Sequence, residues 1–221
     1  MSIEVEIFKK TKFNKDKLLA YGFKEELNGY KYSKDMSNGF IANLFIDASL
    51  KLIGKIIDTS LGEEYTNYRI ESLKGEFVNS IREEYIAILS DIANQCCEKL
   101  YFITPQANRI SEEIIKLLDS HPEFLWESFP DYAIFRHKTN QKWFAVIAYV
   151  DRSKLDKKAS GMLEILNLKI KEEELEEVLT QEGFYNAWHM NKKSWITLTL
   201  DETIPDIEVM EYVKKSFIYT S

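Results

Sequence analysis

The hydrophobic period of the chain changes near Gly75, and this change restricts the folds that the sequence can adopt. Before Gly75, short stretches such as 40–47 and 50–58 have the length and composition of β-strands. After Gly75, apolar side chains recur at three- and four-residue steps, which predicts one long amphipathic helix. They are Phe77, Ile81, Tyr85, Ile88, Leu89, Ile92 and Cys96. A run of strands followed by a helix indicates an α+β fold.

Local signals give further elements in the first half. Residues 14–21 are predicted to form a helix, because Asn14 can cap its start and Gly22 is placed to form a left-handed C-cap. The dipeptide Asn38-Gly39 predicts a type I′ hairpin.

The second half repeats the order of helix, three strands and helix. We predict helices at 110–118 and 171–181, strands at 132–137, 142–150, 161–170 and 194–200, and a final helix. Thr203 and Asp206 resemble a capping box at the start of that last helix. Strand 142–150 is apolar on both faces, so we expect it to be central and covered.

The 221 residues are enough for two domains of ordinary size. The helical pattern breaks between Tyr101 and Asn108, around Pro105. We therefore predict an N-terminal α+β domain at 1–104 and a second domain at 105–221. Each is expected to be an antiparallel sheet with helices packed on one side. Whether the first is a diverged copy of the second stays open.

The second half resembles the MmcQ/YjbR family over roughly 107–221. The most specific motif is Ala187-Trp-His-Met-Asn-Lys-Lys-Ser-Trp-Ile196, with Trp188 where the family pattern has Tyr. The supporting stretches are Tyr132-Ala-Ile-Phe-Arg-His137, Lys142-Trp-Phe-Ala145, Glu164-Ile-Leu-Asn-Leu-Lys169, Leu200-Asp201 and Ser216-Phe217.

This resemblance implies a compact α+β domain with a layout similar to secretion chaperones. It also implies a candidate role in DNA binding, through a double-wing arrangement of hairpins. The first half of the chain lies outside the resemblance.

The charge of the chain limits how the protein could bind nucleic acid. A formal net charge of -7 argues against indiscriminate binding by the whole surface. Residues 136–158, however, carry seven bases against two acids, whereas 172–182 are strongly acidic. This separation of charge is typical of a protein with one face that binds an anion and another that faces solvent. Loop lysines that only keep the protein soluble would give the same pattern.

These observations give a set of candidate nucleic-acid-binding residues. They are Arg136, Lys138, Lys142, Arg152, Lys154, Lys157, Lys158, Trp188, His189, Asn191, Lys192 and Lys193. His189 either contacts a phosphate or fixes the turn before Trp195 by a hydrogen bond to a backbone carbonyl. Lys192 and Lys193 are either phosphate contacts or part of a solvated turn.

The tryptophans differ in their expected roles. On strand periodicity Trp143 shares a face with Ala145 and Ile147, so we expect a core role. Trp188, at a turn, is freer to stack on a base. Trp195 is expected to be buried on the sheet.

Several classes of chemistry have no signature in the sequence. The three histidines lack metal-ligand spacing, so we expect no metal and no cofactor. There is no nucleophile elbow and no glycine-rich phosphate loop, so we expect no enzyme activity. Adjacent Cys96 and Cys97 are poorly placed to bridge, and Cys96 falls on the apolar stripe, so we read it as core. No signal peptide or membrane span is apparent, which favours a cytoplasmic protein that does not bind membranes.

The sequence therefore predicts a non-enzymatic, two-domain protein that binds DNA weakly, mostly through phosphate contacts. The alternative is a module that binds a protein or peptide, and a third possibility is an enzyme with an unrecognised site.

Overall fold

The structure, a computed structural model, describes residues 2–221 and divides into two compact units, Met1–Leu100 and Tyr101–Ser221. Each contains a five-stranded antiparallel sheet with helices, so the chain is α+β with two sheet units. None of the helices in the described part of the chain has the length and apolar character needed to cross a membrane.

The first unit is a meander covered by one long helix. Its helices are α1 (Ile3–Ile7), α2 (Lys15–Tyr21) and α3 (Glu76–Cys96). The sheet runs in the order β2 (Lys24–Glu26), β3 (Gly29–Met36), β4 (Phe40–Asp47), β5 (Leu52–Asp58) and β6 (Glu63–Glu64). A separate two-stranded ladder pairs β1 (Thr11–Phe13) with β7 (Cys97–Lys99).

Local signals in this unit are confirmed. Asn14 caps α2 by accepting from the Lys17 N–H, and Gly22 ends it in the left-handed conformation. Asn38 and Gly39 have φ of 59° and 76°, the positive values that a type I′ turn requires. The long helix begins at Glu76, one residue after Gly75.

Both cysteines are buried and free, as expected for a chain without a disulfide framework. Burial raises the pKa of each thiol to about 11. Cys96 lies in the core with Ile92 and Leu89 of the same helix, so the core interpretation is confirmed.

The second unit is a sheet with helices on one face and loops on the other. Its helices are α4 (Pro105–Leu118), α5 (Leu175–Val178) and α6 (Asp206–Thr220). The strands are β8 (Ala133–Arg136), β9 (Trp143–Asp151), β10 (Met162–Lys169), β11 (Phe184–Asn186) and β12 (Trp195–Thr199), in the order β11-β12-β10-β9-β8. This order differs from the meander of the first unit, because β12 returns beside β10 and leaves β11 at the edge.

The main core of the second unit lies between the sheet and its helices. It joins Phe144 and Ile147 of β9, Leu166 of β10 and Leu198 of β12 to α4 and α6. Strand β9 is paired on both sides and buried on both faces, as its sequence predicts.

The second unit takes in Phe102, three residues before the predicted domain start at 105. Phe102 is fully buried in its core. The buried carboxylate of Glu164 accepts hydrogen bonds from the backbone N–H groups of Ile103 (2.8 Å) and Thr104 (2.7 Å). Because these contacts belong to the second unit, the division falls at 100/101.

The helices of the second unit depart from the sequence prediction in three places. Helix α4 begins at Pro105, not 110, because Pro is favoured in the first turn and the Thr104 side chain caps it. The stretch 171–181 holds only a 3₁₀ turn and the single-turn α5. The prediction of a capping box at the start of α6 was wrong, because no side chain caps this helix. The Asp206 carboxylate instead accepts a hydrogen bond from Arg109 Nε at 2.6 Å.

Candidate functional site

The segment that follows edge strand β11 is fixed to the sheet through the backbone of Trp188. The Trp188 N–H donates to Thr197 Oγ1 at 2.9 Å, and the Thr197 hydroxyl donates to Asn167 Oδ1. The Asn167 amide donates in turn to the Trp188 carbonyl at 3.3 Å. Asn167 and Thr197 are directly paired across β10 and β12, so this closed ring is built into the sheet register.

Beyond Trp188 the chain forms the structured turn that the sequence predicts. His189 has a φ of 55°, a left-handed conformation that is uncommon outside glycine. Asn191 closes the turn, as its side chain accepts from the Lys193 N–H and its carbonyl from the Ser194 N–H. The exposed His189 ring lies 4.1 Å from the Trp188 ring, and within residues 2–221 the structure shows no hydrogen bond to it. Of the two alternatives for His189, the bond to a backbone carbonyl is therefore absent.

Trp143 lies on the loop face of the sheet, and the prediction of a shared face with Ala145 and Ile147 was wrong. Ala145 pairs with Phe135 but Trp143 pairs with Arg136, so Phe144 is skipped in the register. Such a β-bulge reverses the alternation of side chains. Trp143 consequently packs with Trp195 on the face away from the helices.

The bulge and the turn together build a cavity on the loop face, which we term the aromatic cavity. It has a volume of about 370 Å³ and is mainly apolar. Its lining residues are Trp126, Phe129, Tyr132, Trp143, Val146, Ala148, Asn167, Trp188, His189 and Met190. Trp126 meets Trp143 edge-on with 5.7 Å between ring centroids, and Tyr132 meets Trp188 edge-on at 5.9 Å. These mutual contacts hold the rings in defined orientations.

A second, more open and more polar cavity runs along strand β11, and we term it the lysine groove. Its volume is about 670 Å³. Its lining residues are Lys154, Leu155, Leu179, Phe184, Tyr185, Asn186, Ala187, Trp188, His189 and Lys192. Trp188 and His189 line both cavities, so the two adjoin at this turn.

The candidate bases divide into two groups by their partners. Four are bound to carboxylates: Arg136 to Glu123 (2.7 Å), Lys138 to Asp119, Arg152 to Asp201 (2.9 Å) and Lys193 to Glu172 (3.8 Å). Among the described residues, no carboxylate forms an ion pair with Lys142, Lys154, Lys157, Lys158 or Lys192. Only Lys154 and Lys192 of this second group line the groove.

The pKa values of two of these carboxylates are lowered by the groups around them. The Lys138 ammonium, by hydrogen bond and charge, holds the pKa of Asp119 below its usual range. Burial alone would raise the pKa of Asp201, but hydrogen bonds from Thr203 and Arg152 outweigh burial and lower it. These carboxylates stay ionised and occupy their basic partners, which are therefore less available to an anion.

Sequence reasoning missed the aromatic side chains of residues 121–132 and the role of Asn167. Trp126 and Phe129 belong to a stretch without helical or strand periodicity, so nothing local indicated where they would pack. Asn167 did carry a signal, because it is a polar residue inside an apolar strand motif. Within residues 2–221, no group of three His, Cys, Asp or Glu side chains is arranged to hold a metal ion.

Known proteins match the unit that contains both cavities. The YjbR family model matches residues 116–218. The uncharacterized protein YyaQ of Bacillus subtilis is 35% identical over 99 residues, covering 45% of this chain and 84% of YyaQ. The chain belongs to the YjbR family.

A solved structure supports the same relationship for the YjbR unit. The crystal structure of a protein from Pseudomonas syringae is 32% identical, with a TM-score of 0.50. The match covers 51% of this chain and 97% of the Pseudomonas protein. The family model leaves the first unit of the present chain outside its match.

Proposed function

We propose that the YjbR unit is a non-enzymatic nucleic-acid-binding module that acts in the cytoplasm. The observation that carries the proposal is the lysine groove, where Lys154 and Lys192 face one cavity together with Trp188 and His189. Lysines without acid partners are suited to bind phosphate oxygens as point charges. Lys157 and Lys158, in the exposed loop beside Lys154, add positive charge for a phosphate backbone.

The expected binding is weak and largely independent of sequence. Phosphate contacts orient a nucleic acid but carry no base information. The net charge of -7 opposes association at long range, so we expect a Kd of roughly micromolar at low salt.

Charge reversal in the groove tests this proposal. Lys154→Glu/Lys192→Glu should weaken binding of a labelled random-sequence duplex and of a single strand, measured by fluorescence anisotropy. The slope of log Kd against log salt should become shallower by about two, because two phosphate contacts are lost.

The matched control is Lys116→Glu/Lys214→Glu, which carries the same net charge on helices that line neither cavity. Its binding should stay close to that of the unaltered protein. Equal loss in both variants, or no binding by the unaltered protein at low salt, would contradict the proposal.

A second candidate function is binding of an extended peptide. Strand β11 stands at the edge of the sheet, paired with β12 alone, and lines the lysine groove. An extended peptide can add to such an edge through backbone hydrogen bonds. Salt separates the two functions, since phosphate contacts weaken steeply as salt rises and peptide addition responds little.

A further inference from the structure

We infer that the aromatic cavity accepts one unstacked nucleobase, and that the unit therefore prefers single-stranded nucleic acid to a duplex. This inference rests on the proposed function, and it adds the form of nucleic acid recognised and the contact that recognises it.

The lining of the cavity matches the chemistry of a base. Aromatic side chains offer faces on which a flat heterocycle can stack, and Trp126, Tyr132, Trp143 and Trp188 supply indole and phenol rings in one cavity. Phe129 adds a ring at the rim, where its side chain is 52% exposed. A volume of about 370 Å³ is in the range of small-molecule sites.

The cavity also presents a polar group for the edge of a base. Asn167 is 2% exposed and uses its oxygen for Thr197 and one amide N–H for the Trp188 carbonyl. Its second amide N–H has no partner among the residues that the structure describes. A base carbonyl stacked in the cavity would supply the missing acceptor.

Charge next to the cavity selects a nucleic acid over an uncharged aromatic ligand. The lysine groove adjoins the cavity at Trp188 and His189, and Lys154 and Lys192 line that groove. A strand lying in the groove can keep its phosphates against the lysines while one base turns into the cavity. A base within a duplex is stacked and paired, so reaching the cavity would require it to be extruded at a cost.

The experiment compares two single strands that carry the same number of phosphates. One is a labelled oligothymidylate of 12 nucleotides, and the other is the same backbone with abasic sites in place of the bases. Binding to the full chain is measured by anisotropy at low salt. We expect the strand with bases to bind at least about fivefold more tightly, since stacking contributes substantially for each base. The matched duplex, whose bases are stacked and paired, should bind more weakly than the single strand with bases.

A variant pair assigns the effect to the cavity. Phe129→Ala removes a rim ring and should reduce the preference for bases while leaving abasic binding unchanged. Phe77→Ala is the control, as Phe77 is 51% exposed in the first unit. Because both side chains are half exposed, neither change should prevent folding.

The possible results distinguish failure of the base cavity from failure of the proposed nucleic-acid binding. Equal binding of the two strands, with both sensitive to Lys154→Glu/Lys192→Glu, would overturn the base cavity and leave phosphate binding in place. No binding of either strand would overturn both. A preference for bases that is unchanged in Phe129→Ala, or that falls equally in Phe77→Ala, would place the base elsewhere and overturn the inference.

Discussion

The side-chain amide of Asn167 donates to the backbone carbonyl of Trp188 at 3.3 Å, across 21 residues of sequence. The contact ties the turn that lines both cavities to a buried residue of β10. The position of the Trp188 backbone is thus determined by the sheet and not by the loop alone.

We predict that Asn167→Ala lowers the free energy of unfolding by about 1–3 kcal/mol, because the buried Thr197 hydroxyl and the part-buried Trp188 carbonyl each lose a partner. Denaturant titration followed by tryptophan fluorescence measures the loss. All four tryptophans lie in the second unit, so the signal reports on that unit. Asn186→Ala, at an exposed position on β11, is the control and should change stability by less than about 0.5 kcal/mol. Equal losses in the two variants would rule out a special role for Asn167.

Trp195 is buried as the sequence predicts, with 6% of its surface exposed, and it packs against Ile134, Val146 and Ala187. Trp195→Ala should cost about 3 kcal/mol, in the range of large-to-small changes in a core. Circular dichroism during denaturant unfolding measures this cost independently of the lost fluorophore. The exposed Ile207→Ala is the control. A loss under about 1 kcal/mol would mean that the Trp195 ring contributes little to the core.

In the first unit, Gly54 allows a close approach of Tyr85. A Cβ on Gly54 would lie 1.8 Å from Tyr85 Oη, the atom that donates to the buried Glu4 carboxylate at 2.6 Å. Gly54→Ala should therefore destabilise the unit by about 3 kcal/mol, through overpacking and the strained hydrogen bond. A Cβ on Gly75 would meet open space, so Gly75→Ala should lower the free energy of unfolding by under about 1 kcal/mol. This small loss reflects the replacement of a residue favoured at the N-cap of α3. Comparable unfolding curves by circular dichroism would contradict this prediction.

His137 should make stability depend on pH. Burial lowers the pKa of this ring, which lies 2.8 Å from Thr220 Oγ1 and packs against Phe217. The unfolded chain then binds a proton more readily than the folded one. The contribution of His137 to stability should be fully present above about pH 6.5, the ordinary pKa of histidine. It should be lost as the pH falls through the lower pKa of His137 in the folded protein.

The measurement is the free energy of unfolding between pH 7.5 and 5, for the unaltered protein and for His137→Gln. The variant should show a smaller loss on acidification. His121→Gln, at an exposed position, should retain the full loss because His137 is still present. Identical pH profiles for the unaltered protein and His137→Gln would show that His137 does not cause the dependence.

Elements whose signals are local could be predicted from the amino-acid sequence. Strand Phe40–Asp47 has the predicted bounds, and Asn14 and Gly22 cap their helix as expected. The motif from Ala187 to Ile196 also indicated the YjbR family and the turn that lines both cavities. Periodicity, caps and turn dipeptides depend on neighbours within a few residues, so they can be read without knowing the fold.

Which residues those elements bring together depends on the tertiary structure. The bulge at Phe144 turns Trp143 to the loop face, because register depends on how β8 pairs with β9 and not on the sequence of β9 alone. Which basic residues contact a carboxylate also depends on sheet order, so Arg152 pairs with Asp201 while Lys154 has no acid partner among the described residues. Contacts between residues far apart in sequence have no local signature. The aromatic cavity and the lysine groove, built from such contacts, therefore became visible only in the folded unit.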